Sequence, residues 1–209
     1  MTQITDNPLH PMPPLKMTWE EFHDWTNDEE NRAEWVDGEV IFMSPAEDAH
    51  QFLAGWLYKL MDEFILTHDM GILLQAPSLM RLRTRPSGRE PDLMFVAKAN
   101  LPRNRRTYID GPADLAVEIV SPESEERDRV IKLAEYETAG VREYWLLDHR
   151  IQEALFYQLG EDGKYRQVTP DDQGIYHSMV LNGLWLKVEW LWQKPLPRLM
   201  DILKAWGLV

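Results

Sequence analysis

A chain of 209 residues that is 44% hydrophobic and 11% aromatic carries enough apolar surface for one core, which excludes a disordered polypeptide. Its 22 lysines and arginines against 35 aspartates and glutamates give a formal charge of −13, which opposes non-specific binding to a polyanion. There is no cysteine, so disulfides, thiolate zinc sites and cysteine nucleophiles are excluded, and the six histidines lack the i, i+4 pairing of a metalloprotease helix.

No apolar run approaches the roughly 18 residues of a membrane span, and no apolar signal-like stretch opens the chain, so a cytoplasmic protein without membrane contact is expected. Residues 1–17, with Pro8, Pro11, Pro13 and Pro14, predict a flexible arm, and residues 18–209 a single domain. Thr18-Trp19-Glu20-Glu21 reads as an N-cap and acidic first turn of a helix running to about Thr26. Arg32 to Met43 predicts a hairpin, because Asp37-Gly38 between apolar runs suits a turn with positive φ, and Glu34 and Glu39 are expected on its surface. Ser44-Pro45 ends it. Ala49 to Thr67 is the clearest helix, with Phe52, Leu53, Trp56, Leu57, Leu60, Met61, Phe64 and Ile65 as its apolar face. Ile72–Gln75 and Leu79–Arg83 read as strands, and Pro86-Ser87-Gly88 as a turn.

The stretch from Glu90 to Asp148 organises the rest. Asp92 leads into the apolar strand Leu93-Met94-Phe95-Val96, and a loop from Lys98 to Pro112 follows. Glu118 stands inside the apolar strand Asp114–Val120, Asp128–Ala139 predicts a helix with Val130, Leu133 and Ala134 on its apolar face, and Gly140 is its C-cap. Glu143–Asp148 then predicts a strand parallel to that of Glu118. A carboxylate within a buried strand needs a compensating charge, metal or hydrogen bond, so Asp92 and Glu118 are read as partners in one acidic site. From Arg81 to Arg106 eight basic residues oppose only Glu90 and Asp92, a local excess of six positive charges. Taken alone this is a solvated arginine-rich surface; beside a carboxylate pair, Arg81, Arg83, Arg103, Arg105 and Arg106 are read as facing phosphates. Ala154–Gln158 and Tyr165–Val168 form a second hairpin around Glu161-Asp162-Gly163. In the tail, Trp185, Trp190, Trp192 and Trp206 are expected in core or dimer contacts, with a helix from Pro197 to Trp206.

In order and spacing, Trp19-Glu20-Glu21-Phe22, Glu34-Trp35-Val36-Asp37-Gly38-Glu39, Ser44-Pro45 before His50, Pro91-Asp92, Glu118-Ile119-Val120-Ser121-Pro122, Lys132-Leu133, Tyr136, Gly140-Val141 and Glu143–Asp148 resemble the PD-(D/E)XK nuclease superfamily. Within it the chain is similar to the Uma-type restriction-endonuclease branch, over roughly residues 17–186. The resemblance implies an α/β restriction-endonuclease-like fold: a mixed central sheet flanked by helices, with an N-terminal β-hairpin and a C-terminal extension. It implies that Asp92 and Glu118 bind a metal, Mg²⁺ or Mn²⁺. The superfamily pattern asks for lysine two residues after Glu118, where this chain has Val120, and the branch implies that Lys132 of the following helix supplies the ammonium.

Two carboxylates holding Mg²⁺ and a nearby ammonium suit phosphodiester hydrolysis, with desolvation available to lower the lysine pKa for proton transfer and His50 as a further water- or phosphate-contacting group. The expected function is a metal-dependent DNA endonuclease, binding DNA weakly and forming a homodimer. A catalytically inactive nuclease fold serving as a binding or assembly module is the alternative.

Overall fold

The computed structural model describes residues 15–28 and 32–209; residues 1–14, most of the expected arm, lie outside the described residues. Leu15 to Met17 run along the first hairpin, with the Met17 N–H donating to Gly38 and the Val40 N–H to Leu15, both at 2.9 Å. Helix α1 (Trp19–Asp28) begins with a capping box: Thr18 Oγ1 accepts the Glu21 N–H at 3.2 Å and the Glu21 carboxylate accepts the Thr18 N–H at 2.8 Å. Strands β1 (Ala33–Val36) and β2 (Glu39–Phe42) turn at Asp37 (φ 50°) and Gly38 (φ 90°), the left-handed pair that matches the twist of a hairpin. Next come α2 (Asp48–Thr67), β3 (Gly71–Gln75), β4 (Leu79–Leu82), β5 (Ser87–Arg89), β6 (Leu93–Ala97), a 3₁₀ segment Lys98–Arg103, β7 (Tyr108–Asp110) and β8 (Leu115–Ile119). A π-helical segment Arg127–Lys132 leads into α3 (Leu133–Ala139), followed by β9 (Glu143–Asp148), β10 (Glu153–Leu159), β11 (Tyr165–Val168), β12 (Ile175–His177), β13 (Trp185–Lys187) and α4 (Leu199–Ala205).

The architecture is mixed α/β. A six-stranded sheet has the order β11-β10-β9-β8-β6-β3, antiparallel except for the expected parallel pair β8–β9. The N-terminal hairpin is more than an appendage, because β1 also pairs with β5 and so builds a second sheet, β2-β1-β5-β4-β7. Ser87 and Gly88, expected in a turn, are therefore buried strand residues, and Arg83–Pro86 turn instead. Gly88 admits no side chain: a Cβ there would lie 2.4 Å from Cζ3 of Trp19.

Residues of β8 alternate between two cores. Leu115, Val117 and Ile119 pack with Leu53, Leu57, Leu60 and Phe64 of α2 and Ile202 of α4. Ala116 and Val120 pack with Met80 of β4, Ile109 of β7 and Tyr136 of α3. Burial of an aliphatic side chain stabilises by about 1.5–3 kcal/mol, and Leu57 and Leu60 lie at 0% and 1% exposure. Phe52 departs from expectation at 71% exposed, because the apolar stripe of α2 is wider than the face that meets the sheet. Val130 is also exposed, since π-winding takes it off the α-helical period. Trp190, Trp192 and Trp206 pack against the first core, and Trp185 lies against Trp190 and Trp206. Among the described residues no helix is long and apolar enough to cross a membrane.

Candidate active site

Antiparallel pairing of β6 with β8, Leu93 opposite Val117, brings Asp92 beside the end of the strand that carries Glu118. Asp92 Oδ2 accepts the Ile119 N–H at 2.7 Å, so the side chain continues the ladder where β6 has ended. Both carboxylates line a cavity of ≈ 260 Å³ together with Arg32, His50, Glu90, Arg127, Asp128 and Lys132. His50, in the first turn of α2, holds Asp92 Oδ2 through Nε2 at 3.2 Å, and its Nδ1 is buried without a partner among the described residues. Burial opposes the imidazolium, but the hydrogen bond and charge of Asp92 outweigh it and raise the His50 pKa.

Lys132 is where the resemblance puts it. Its Nζ lies 2.8 Å from Glu118 Oε1, 2.9 Å from Glu34 Oε1 and 3.4 Å from Asp128 Oδ1. The i, i+4 contact with Asp128 is the longest of the three, and it is buried. The three carboxylates outweigh the desolvation that would otherwise lower the lysine pKa, so it is raised rather than lowered for proton transfer. Tyr136 donates its hydroxyl to the same Glu118 oxygen at 2.8 Å. Burial pushes the Glu118 carboxyl well up, Lys132 opposes this, and the neighbouring Asp128, Asp92 and Glu34 reinforce it. Val120 shares the face of β8 with Ala116 and is packed into the second core, so a lysine there would point into apolar side chains. The segment that follows β8 brings the Lys132 ammonium to Glu118.

Glu34 corrects the expectation drawn from the hairpin. It is 0% exposed, although Glu39 across the same hairpin is exposed as expected. Arg89, also fully buried, donates through Nη1 to Glu34 Oε2 at 2.9 Å and through Nη2 to Glu135 Oε2 at 2.5 Å, and Ser87 donates to Glu135 Oε1. Burial alone would raise the Glu34 carboxyl, but Lys132, Arg89 and Arg127 hold it down to about 2. Glu34 lies between Ala33 and Trp35 on a strand buried at every position, which no local pattern in the sequence announces.

A divalent cation fits the donor set. Asp92 Oδ2 and Glu118 Oε1 are committed, whereas Oδ1 and Oε2 take no hydrogen bond among the described residues. Among those residues no group of three or more His, Cys, Asp or Glu converges on a metal position. Two carboxylates with water are what Mg²⁺ uses when substrate phosphate completes its shell, and all-oxygen donors suit Mg²⁺ and Mn²⁺. Titration calorimetry with Mn²⁺ is expected to show binding to the wild type and none to Asp92→Ala; equal isotherms would remove the carboxylate pair as the metal site.

None of Arg81, Arg83, Arg103, Arg105 and Arg106 lines this cavity. Arg81 donates to Glu20 and lies 4.7 Å over the Trp19 ring, Arg83 holds Asp110 at 2.8 Å, and Arg105 is 3.8 Å from Asp110. Arg103 donates to the Pro112 carbonyl at 2.7 Å, and Arg106 is exposed. The cations of the cavity are Arg32, held by Glu90, together with Arg127 and Lys132.

The profile of the Uma2 family, described as "Putative restriction endonuclease", matches residues 19–189. A solved structure from Anabaena variabilis ATCC 29413, described as a putative nuclease belonging to DUF820, superposes with a TM-score of 0.66 at 14% identity, covering 81% of this chain and 96% of that one. Among curated proteins none matches significantly.

Proposed function

Because the chain belongs to the Uma2 family of restriction-endonuclease type, we propose that it is a metal-dependent nuclease hydrolysing phosphodiester bonds of DNA at Asp92, Glu118 and Lys132. The observation that carries the proposal is the meeting of these three side chains in one cavity, with Lys132 Nζ 2.8 Å from Glu118. Asp92 and Glu118 would hold Mg²⁺ or Mn²⁺, which when bound supplies positive charge against the phosphate and acidifies water. Ile119 and His50 fix one oxygen of Asp92, and Lys132 and Tyr136 fix one oxygen of Glu118, so each carboxylate keeps its other oxygen for the ion. The Lys132 ammonium acts as a hydrogen-bond donor that orients water and offsets charge developing on the phosphate. His50 serves as a secondary contact for water or phosphate.

One observation favours the alternative of a silent binding module: the Lys132 ammonium is buried with three protein carboxylates within 3.4 Å of it. Incubation of supercoiled plasmid with Mg²⁺ or Mn²⁺ decides between them. Nicking by the wild type, absent in EDTA and in Asp92→Ala and Glu118→Ala, is the expected result. An intact plasmid across metals and substrates would establish the silent module.

DNA is expected to bind weakly and with strong salt dependence. Replacing Arg103, Arg105 and Arg106 with alanine should lower affinity and flatten the plot of log K against log [salt] by about 0.9 for each phosphate that is no longer neutralised. An unchanged slope would place the DNA on another face.

A further inference from the structure

Resting on the nuclease reading, we propose that Glu34, carried by the second sheet and itself anchored there, is the positioning residue that holds Lys132 in one geometry beside Glu118. Glu34 does not line the cavity and so has no path to substrate of its own. Its Oε1 is ion-paired with Lys132 Nζ at 2.9 Å and accepts the Glu90 N–H at 3.2 Å, two residues before Asp92. Its Oε2 is held by Arg89 at 2.9 Å, and Arg89 is itself fixed by Glu135 one turn beyond Lys132. Both oxygens are therefore anchored, and the anchor spans the two sheets and α3.

A lysine is a point charge on a flexible four-carbon stem, so a single partner, Glu118, leaves its position loosely set. Without Glu34, Asp128 at 3.4 Å becomes the competing partner and draws Nζ along its own segment. Misplacement of a reacting group by about 1 Å costs on the order of 10²-fold in rate. Positioning of this kind lowers turnover and leaves ground-state binding and metal affinity alone.

The test uses Glu34→Asp, which keeps the charge but is one methylene short, and Glu34→Gln, which keeps the length. Folding is checked by circular dichroism, Mn²⁺ affinity by calorimetry, and cleavage under steady-state conditions. For Glu34→Asp the expected result is a fall in kcat of about 10²-fold with KM and Mn²⁺ affinity within a few-fold of the wild type. In a Lys132→Arg background, single-turnover rates should show little further loss on adding Glu34→Asp, because Glu34 acts through the lysine. Acetylation of Lys132 by acetic anhydride, read by peptide mass, should rise severalfold in both variants while exposed lysines stay unchanged. Wild-type kcat in either folded variant, or unchanged Lys132 labelling, overturns the proposal. A wild type that cleaves nothing while labelling still rises would end the nuclease reading and leave the Glu34–Lys132 contact standing.

Discussion

Lys132→Ala is expected to abolish metal-dependent plasmid cleavage and also to lower unfolding free energy by about 3–5 kcal/mol, the cost of removing one partner from a buried ionic group. The sequence alone suggests a lysine whose removal leaves the fold intact, because its helical partner Asp128 implies an exposed pair worth a few tenths of a kcal/mol. In the structure Lys132 is 1% exposed and touches Glu34, Glu118 and Asp128, so its loss leaves three buried carboxylates facing one another. Urea unfolding in EDTA beside a cleavage assay separates the two effects. Lys132→Arg, which keeps the charge, should recover most of the stability and little of the cleavage, since the longer planar fork does not put a donor where the compact ammonium sits. Wild-type stability in Lys132→Ala would mean that water or another cation reaches those carboxylates.

Arg89→Ala should be at least as damaging to the fold, again by about 3–5 kcal/mol, although Arg89 takes no part in the chemistry. It is the counter-charge of Glu34 and Glu135, both buried, and its removal strands two carboxylates between the sheets. The effect has a pH signature. Glu34 is held down to about 2 in the fold against an ordinary 4.5, so the stability it contributes is present above about 4.5 and is lost as pH falls toward 2. Weakening its counter-charge raises the folded pKa, and the acid-unfolding midpoint of Arg89→Ala should move up. Combining Arg89→Met with Glu34→Gln and Glu135→Gln should restore much of the loss, as neutral replacement of a buried ionic triad often does. Urea titrations at pH 7, with circular dichroism followed down to pH 2, measure both. An acid midpoint equal to the wild type's would show that Arg89 is not what keeps Glu34 ionised.

What the sequence revealed was local or covalently ordered. Asp92 and Glu118 stand out because a carboxylate in an apolar strand is costly, Asp37-Gly38 because few residues accept positive φ, and β8–β9 because a helix separates two apolar strands. The second sheet was not legible, since it depends on Trp35 meeting Gly88, a pairing across half a hundred residues with no periodic signature. Glu34 and Arg89 went unseen with it: each is an ordinary charged residue until β1 and β5 join. The partners of the arginine cluster were hidden for the same reason, because Glu20 and Asp110, which answer Arg81 and Arg83, lie far from them in sequence. Periodicity placed Val130 inside because it assumes 3.6 residues per turn, and this segment does not keep that count.

That winding ties the chemistry to the length of the chain rather than to its letters. Relaxation of the segment to α-helical winding at unchanged length would swing what precedes it by about 100° relative to Lys132, since a π turn holds one residue more than an α turn. Every side chain named at the site would survive such a rewinding, and the ammonium would still lose its register with Glu34 and Glu118. The width of this one turn, and not only the residues on it, therefore sets where the ammonium stands.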